Sequence, residues 1–187
     1  MRHLLTSLLV LAPMLLLQSS SRRNPPAPTG MPEPAALQDG VAVYFSPNGG
    51  CTQAITTAIA SAKKSLDVQA YYFTSTPIAR AIAEAHQRGV TVRVLLDKSQ
   101  EQSNYTGATY LVNAGVNVWV DHEHEIMHNK VMIIDNNTVI TGSFNFTVAA
   151  ERSNVENVVF IEGKPKIAQA YLKHFEQHLE HAKRYKR

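Results

Sequence analysis

His128-Asn129-Lys130-Val131-Met132-Ile133-Ile134-Asp135, followed after six residues by Gly142-Ser143-Phe144-Asn145, is the stretch on which the reading of the fold turns, and it occurs once. If the chain is extended here, the two-residue period puts His128 and Lys130 on one face. Asp135 has the opposite parity and falls in the turn Asp135-Asn136-Asn137, which predicts a structural role for it. The turn separates Lys130–Ile134 from Thr138–Thr141, so the two runs read as a hairpin. Ser143 and Asn145 also share a face while their segment stays extended. Glu156, on the next predicted strand (Asn154–Ile161), is placed to hydrogen-bond one nitrogen of His128 and fix its tautomer.

Upstream, strand-like and helix-like patterns alternate from Val41. Val41–Phe45 alternates apolar residues, and Thr52–Lys63 carries Ile55, Ala58, Ile59 and Ala62 at helical spacing. Ser65–Phe73 reads as a strand, and Thr76-Pro77 opens a helix that Gly89 ends. Val90–Leu96 is a continuous apolar run suited to a buried parallel strand. Tyr105–Ala114 reads as a helix, Val116–Val120 as a strand, and Pro165–Lys183 as the closing helix. Repeated βαβ units followed by a hairpin predict one layered α/β/α sandwich over residues 41–187, with a mixed, largely parallel sheet.

A lone histidine in a strand is usually structural, and a lone lysine usually solvated. Their joint spacing with Gly-Ser-x-Asn is what matters. Cleaving a phosphodiester requires a nucleophile, a proton for the leaving oxygen, and positive or donor groups around the phosphate. His128, Lys130, Ser143 and Asn145 cover most of that demand.

The pattern His-x-Lys-x4-Asp-x6-Gly-Ser-x-Asn, matched from His128 through Asn145, resembles the signature of the phospholipase D superfamily. Val41–Phe73, Arg88-Gly89-Val90-x-Val92, Gly142–Thr147 and Asn154-Val155-Glu156-Asn157 extend the likeness, over roughly residues 41–180, to small single-motif bacterial endonucleases of the Nuc type. The resemblance implies a catalytic set of His128, Lys130, Asp135 and Glu156, with Lys130, Ser143 and Asn145 binding substrate. It implies that His128 of one subunit attacks phosphorus to form a phosphohistidine. His128 of the other subunit then protonates the leaving oxygen and later activates water. A single-motif chain is expected to do this as a homodimer with the site on the two-fold axis. No cofactor and no catalytic metal are implied, because two lysines take the charge-neutralising role that two-metal nucleases give to magnesium.

His124-Glu125-Ile126-Met127-His128 overlaps this signature and matches the zinc-protease pattern H-E-x-x-H. That reading needs a helix, whereas Val116–Val120 and Val131–Ile134 on either side favour extended structure. His122, His124 and His128 are taken as capable of no more than adventitious metal binding.

The remaining features bound the setting. The 44% hydrophobic content is ordinary for a globular domain, and the formal charge of +3 is modest. Lys183, Arg184, Lys186 and Arg187 form a basic tail suited to phosphate backbones or to plain solvation. Residues 1–21, with the apolar run Leu4–Leu17, read as a signal peptide, or alternatively as a membrane anchor through residues 4–17. Residues 22–40, proline-rich, read as a linker. Cys51, the single cysteine, reads as a small buried hydrophobe. The expectation is therefore a periplasmic or secreted, sequence-nonspecific endonuclease on DNA, with RNA as a candidate further substrate. A phospholipid phosphodiesterase is the second reading and a non-catalytic nucleic-acid binder the third.

Overall fold

The computed structural model describes residues 32–101 and 107–186. The expected leader or anchor, most of the proline-rich linker and Arg187 lie outside them. The described residues form one nine-stranded sheet. In chain order the elements are β1 (Ala36–Gln38), β2 (Val41–Ser46), α1 (Cys51–Ser61), β3 (Ser65–Ala70), α2 (Thr76–Gln87), β4 (Thr91–Asp97), α3 (Gly107–Asn113) and β5 (Asn117–Asp121). They continue with β6 (Lys130–Ile134), β7 (Thr138–Gly142), α4 (Val148–Arg152), β8 (Glu156–Ile161), α5 (Pro165–His181) and β9 (Lys183–Arg184).

The spatial order is β1-β2-β8-β7-β6-β3-β4-β5-β9. Helices cover both faces, as the alternating patterns imply, and the sheet is mixed. Its parallel share is smaller than expected, because only β3–β4 and β4–β5 pair in parallel. The other six pairings are antiparallel. The βαβ units supply the two parallel pairings, since crossover helices return the chain to the same end of the sheet. The hairpin, its neighbours and the two edge strands supply the antiparallel ones.

Residue parity sorts the two faces. Leu66 and Val68 of β3, Val92, Val94 and Leu96 of β4, and Met132 and Ile134 of β6 pack with α1 and α2. Leu95, Val131, Ile133 and Val139 point the other way, onto Ala168 and Phe175 of α5. On that second face Arg93 bonds the buried Asp67 at 2.6 Å and Glu176 at 2.7 Å, with its guanidinium 4.8 Å from the Phe175 ring centroid. Closing the sheet's open side with α5 therefore uses one charged triad beside an aromatic anchor.

Two local arrangements differ from the sequence expectation, and the expected burial of Cys51 is observed. Ala36–Gln38, expected in the linker, forms an edge strand on β2. The closing helix stops at His181, and Lys183-Arg184 pairs with β5 instead of forming a free basic tail. There Arg184 lies over Trp119, 4.4 Å from its centroid. Cys51 is fully buried at the start of α1, and burial pushes its thiol up to about 11, which leaves it inert. Gly50 has no side chain to cap that helix. The Glu151 carboxylate caps it from α4, accepting the N–H groups of Gly50 at 3.1 Å and Thr52 at 2.6 Å.

The β6–β7 turn places Asp135 and Asn136 at φ 53°, a left-handed conformation that Asp and Asn tolerate, and Asn137 N–H bonds Ile134 C=O at 3.0 Å. The Asp135 carboxylate then accepts three N–H groups of the α1–β3 connection, from Lys63 at 2.9 Å, Lys64 at 2.7 Å and Ser65 at 2.9 Å. Burial works against the charge, but those three donors outweigh it and hold the carboxyl below its usual range. Asp135→Ala is expected to lower unfolding stability by about 1–3 kcal/mol, read as a lower urea midpoint at unchanged slope. Because the folded-state pKa is depressed, the Asp135 contribution is full above about pH 4 and disappears as pH falls through the folded value. Asp135→Asn should remove that part of the acid dependence.

Candidate active site

Because β3 and β4 are parallel while β6, β7 and β8 alternate from β3, five chain ends meet at one edge of the sheet. These are the carboxyl ends of β3, β4 and β7 and the amino ends of β6 and β8. An edge outside the carboxyl ends of parallel strands is where open α/β sheets hold ligands.

Lys130 opens β6 opposite Ala70, the last residue of β3. Its side chain is only 6% exposed, and Nζ donates to the His128 carbonyl at 2.8 Å, 5.1 Å from the Tyr71 ring centroid. One of three ammonium donors is thus used, and two remain for substrate oxygens. Burial pulls the Lys130 pKa down, and the Glu156 carboxylate acts in the opposite direction. A half-desolvated ammonium with unspent donors is a strong site for an anion.

His128 is exposed, with its ring edge-on to Tyr71 at 4.6 Å between centroids. Its backbone is fastened on both sides. The buried Asp97 accepts the N–H of Met127 at 2.8 Å, and Lys130 holds the His128 carbonyl. Neither ring nitrogen has a hydrogen-bond partner among the described residues.

Phe144 and Phe146 are buried in the core, which turns Ser143 and Asn145 the other way. Ser143 Oγ accepts the Asn157 N–H at 3.1 Å and its Nδ2 at 3.3 Å. A Cβ on Gly142 would lie 2.2 Å from the Asn157 carbonyl oxygen, so only glycine lets β7 and β8 close beside the site. The Asn145 Oδ1 is buried without a partner. As an acceptor this atom cannot bond a phosphate oxygen, so the donor that Asn145 can offer an anion is its amide Nδ2.

Two members of the expected catalytic set make other contacts than expected. Asp135 sits at the far end of β6, about 16 Å along the strand from Lys130, and is the structural clasp described above. Glu156 does not bond His128. It begins β8, which β7 separates from β6, and its carboxylate accepts Asn154 Nδ2 at 3.2 Å. Its effect at the site is electrostatic, on Lys130. Tyr71 and Asp97 were not among the expected residues. Their position just past or at the ends of two parallel strands was the available signal. Residues 124–128 form no helix, His124 bonds Asp121 at 2.9 Å, and His128 faces Tyr71, so H-E-x-x-H is not a zinc helix.

The family described as "Cardiolipin synthase, PLD-like domain" matches residues 55–179. The chain belongs to the phospholipase D-like family. It is 42% identical over 138 residues to a phospholipase D of Rickettsia prowazekii, covering 74% of this chain and 67% of that one. It is 33% identical over 145 residues to the human mitochondrial cardiolipin hydrolase, covering 78% of this chain and 57% of that protein. Among solved structures, the phospholipase D family member Nuc of Salmonella typhimurium matches with a TM-score of 0.76 at 38% identity, covering 79% of this chain and 98% of that chain. NucT of Helicobacter pylori shares the fold, with a TM-score of 0.71 at 23% identity, covering 78% of this chain and 98% of that one. Membership makes the chain a phospholipase D-type phosphodiesterase, and its Nuc-type likeness runs the length of the folded part.

In this phospholipase D-like site the alkaline limb of kcat/KM should reflect loss of the Lys130 proton and lie below the usual lysine value, about 10.4. Glu156→Gln removes a charge that favours the ammonium, so the residual activity should show that limb moved to lower pH. An unmoved limb in Glu156→Gln would separate the two residues.

Proposed function

We propose that the chain is a sequence-nonspecific endonuclease acting on DNA and also on RNA, through a phosphohistidine on His128 and without a catalytic metal. The observation that carries the reading is the exposed His128 ring beside the buried, donor-rich Lys130 ammonium at an open sheet edge. The likeness over 98% of Nuc supports the nuclease assignment. His128 attacks phosphorus, Lys130 and Asn145 hold the non-bridging oxygens, and Ser143 supports Asn157 beside them. Such a site reads phosphates and not bases, so binding should weaken steeply with salt.

One chain provides one such histidine, and protonation of the leaving oxygen requires a second group opposite it. We therefore propose a two-fold homodimer with the site on its axis. Phe45, Tyr72, Ile126, Val148 and Val155 support it. All five are exposed apolar residues at the site end of the sheet, Val155 at 90% and Phe45 at 54%. An apolar rim around half a site suits burial against its own copy. The export expected of the leader places the enzyme in the periplasm or outside the cell.

Phospholipid is the second substrate reading. It is favoured by relatives described as a phospholipase D and a mitochondrial cardiolipin hydrolase, and an anchor through residues 4–17 would suit it. Parallel turnover assays on single-stranded DNA, duplex DNA, RNA and vesicles of anionic phospholipid decide between them. Preferred hydrolysis of the vesicles would overturn the nuclease assignment.

His128→Ala is expected to lower turnover by about 10³-fold or more while nucleic-acid binding persists. Cutting of plasmid DNA should need no added magnesium, manganese or calcium, and a requirement for one of them would overturn the metal-free mechanism. Mixing wild-type chains with an excess of His128→Ala chains should depress activity per wild-type chain, and an active monomer in sedimentation would contradict the shared site.

A further inference from the structure

At the carboxyl end of β5, Asp121 and His124 converge with His178 and His181 of α5. One ligand atom from each lies within 4.8 Å of all the others. We infer that these four residues form a structural site for a divalent transition metal of the zinc type, which clips α5 to the loop that delivers His128.

The hydrogen-bond inventory requires something beyond the protein. Asp121 is 1% exposed, and its Oδ1 is committed to the N–H groups of Glu123 at 2.9 Å and His124 at 3.3 Å. Its Oδ2 then meets three imidazole nitrogens, Nδ1 of His124 at 2.9 Å, Nδ1 of His178 at 3.3 Å and Nε2 of His181 at 3.3 Å. A carboxylate oxygen has two lone pairs and does not satisfy three donors. The third is indeed unmet, since His181 Nε2 is buried with no hydrogen-bond partner. The edges of a tetrahedron with bonds of about 2.0–2.1 Å are about 3.3 Å. The three contacts to Oδ2 already stand near that spacing, and small ring rotations bring the histidines together.

The outer contacts have the form that a ligating histidine requires. While Nε2 of His181 points into the cluster, its Nδ1 lies 3.6 Å from the Glu123 carboxylate. While Nδ1 of His178 points in, its Nε2 lies 3.2 Å from His174 Nε2. A second partner on the far nitrogen fixes tautomer and ring orientation. Imidazoles with one carboxylate select zinc-like ions over magnesium or calcium. The site takes only His124 from the H-E-x-x-H pattern, because His128 is not a member. His122 is not one either, since it pairs with Glu101 at 2.8 Å.

The placement gives the clip its purpose. Asp121 ends β5, His124 lies four residues before His128, and His178 and His181 occupy the last turns of α5. A bound ion therefore fixes both the closing helix and the approach to the nucleophile without touching substrate.

The test uses tag-free full-length chain stripped of metal and then titrated with Zn²⁺ and with Co²⁺. One equivalent per chain is expected to bind and to raise Tm, and Co²⁺ should give the intense visible bands of tetrahedral coordination. His128→Ala should retain binding, whereas a His178→Ala/His181→Ala double variant should lose it. Glu123→Gln keeps all four ligands and should weaken binding by about 10-fold. That variant keeps the proposal testable if the double variant fails to fold. Binding unchanged in the double variant or in Glu123→Gln, loss of binding in His128→Ala, or no Tm response to Zn²⁺ would each overturn the site. Nuclease turnover is read separately, so failure of the clip and failure of the nuclease assignment are distinguishable.

Discussion

The antiparallel pairing of β6 with β3 is the constraint on which the rest of the molecule depends. β3 lies at the junction of two regimes, parallel to β4 on one side and antiparallel to β6 on the other. The junction puts the start of the hairpin at the carboxyl end of the parallel strands, so Lys130 stands beside Ala70 and Tyr71. Had β6 run parallel, His128 and Lys130 would lie at the opposite edge of the sheet. A one-residue slip would be as damaging, since it would turn Lys130 to the α5 face and Val131 out of it. The register is held by burial on both faces, with Met132 and Ile134 under α1 and α2 and with Val131 and Ile133 under α5.

Three aspartates fasten this arrangement by the same physical means, each accepting backbone N–H groups that the sheet leaves unpaired. Asp135 ties the hairpin turn to the chain entering β3. Asp97 ties the end of β4 to Met127, one residue before His128. Asp121 ties the end of β5 to the loop in between. A carboxylate bonded to N–H groups is stronger than a neutral acceptor and positions backbone more sharply. Catalytic geometry tolerates little slack, because misplacement on the ångström scale costs orders of magnitude in rate. The reactive ring can therefore be exposed while the backbone carrying it is not loose.

How much of this was legible in the sequence depends on whether the determinant was local. Val90–Leu96 and the hairpin could be read because burial pattern and turn chemistry are properties of contiguous residues. The same holds for Asp135, whose parity excluded it from the face of His128 and Lys130. Its counting among the catalytic residues followed from the signature alone, and the structure returns it to the clasp that parity predicted. The antiparallel share of the sheet was not legible, since β2 pairs with β8 from more than a hundred residues away, and neither strand states its partner. Ala36–Gln38 carries no apolar pattern and becomes a strand only by adding to β2. Glu156 was assigned to His128 on the assumption that consecutive strands are neighbours across the site, and β7 intervenes. The histidines of α5 stand at positions 174, 178 and 181, a visible stripe at helical spacing, but their meaning requires Asp121, which only the fold supplies.

The solitude of the signature has a physical consequence that the geometry makes concrete. An in-line displacement places the attacking nitrogen and the leaving oxygen on opposite sides of phosphorus, so one exposed ring can serve only one of them at a time. On the near side this chain provides an exposed imidazole, an ammonium and an amide. The far side is open and bordered by apolar residues that water solvates poorly. An isologous interface presents the same patch twice, so in the proposed dimer the rim that surrounds one half-site also seals the other. Expelling water there strengthens the attraction between each Lys130 and the phosphate, because the local dielectric falls as the rim closes. The proposed dimer would then also remove the exposed apolar surface, so that a single set of residues would answer both demands.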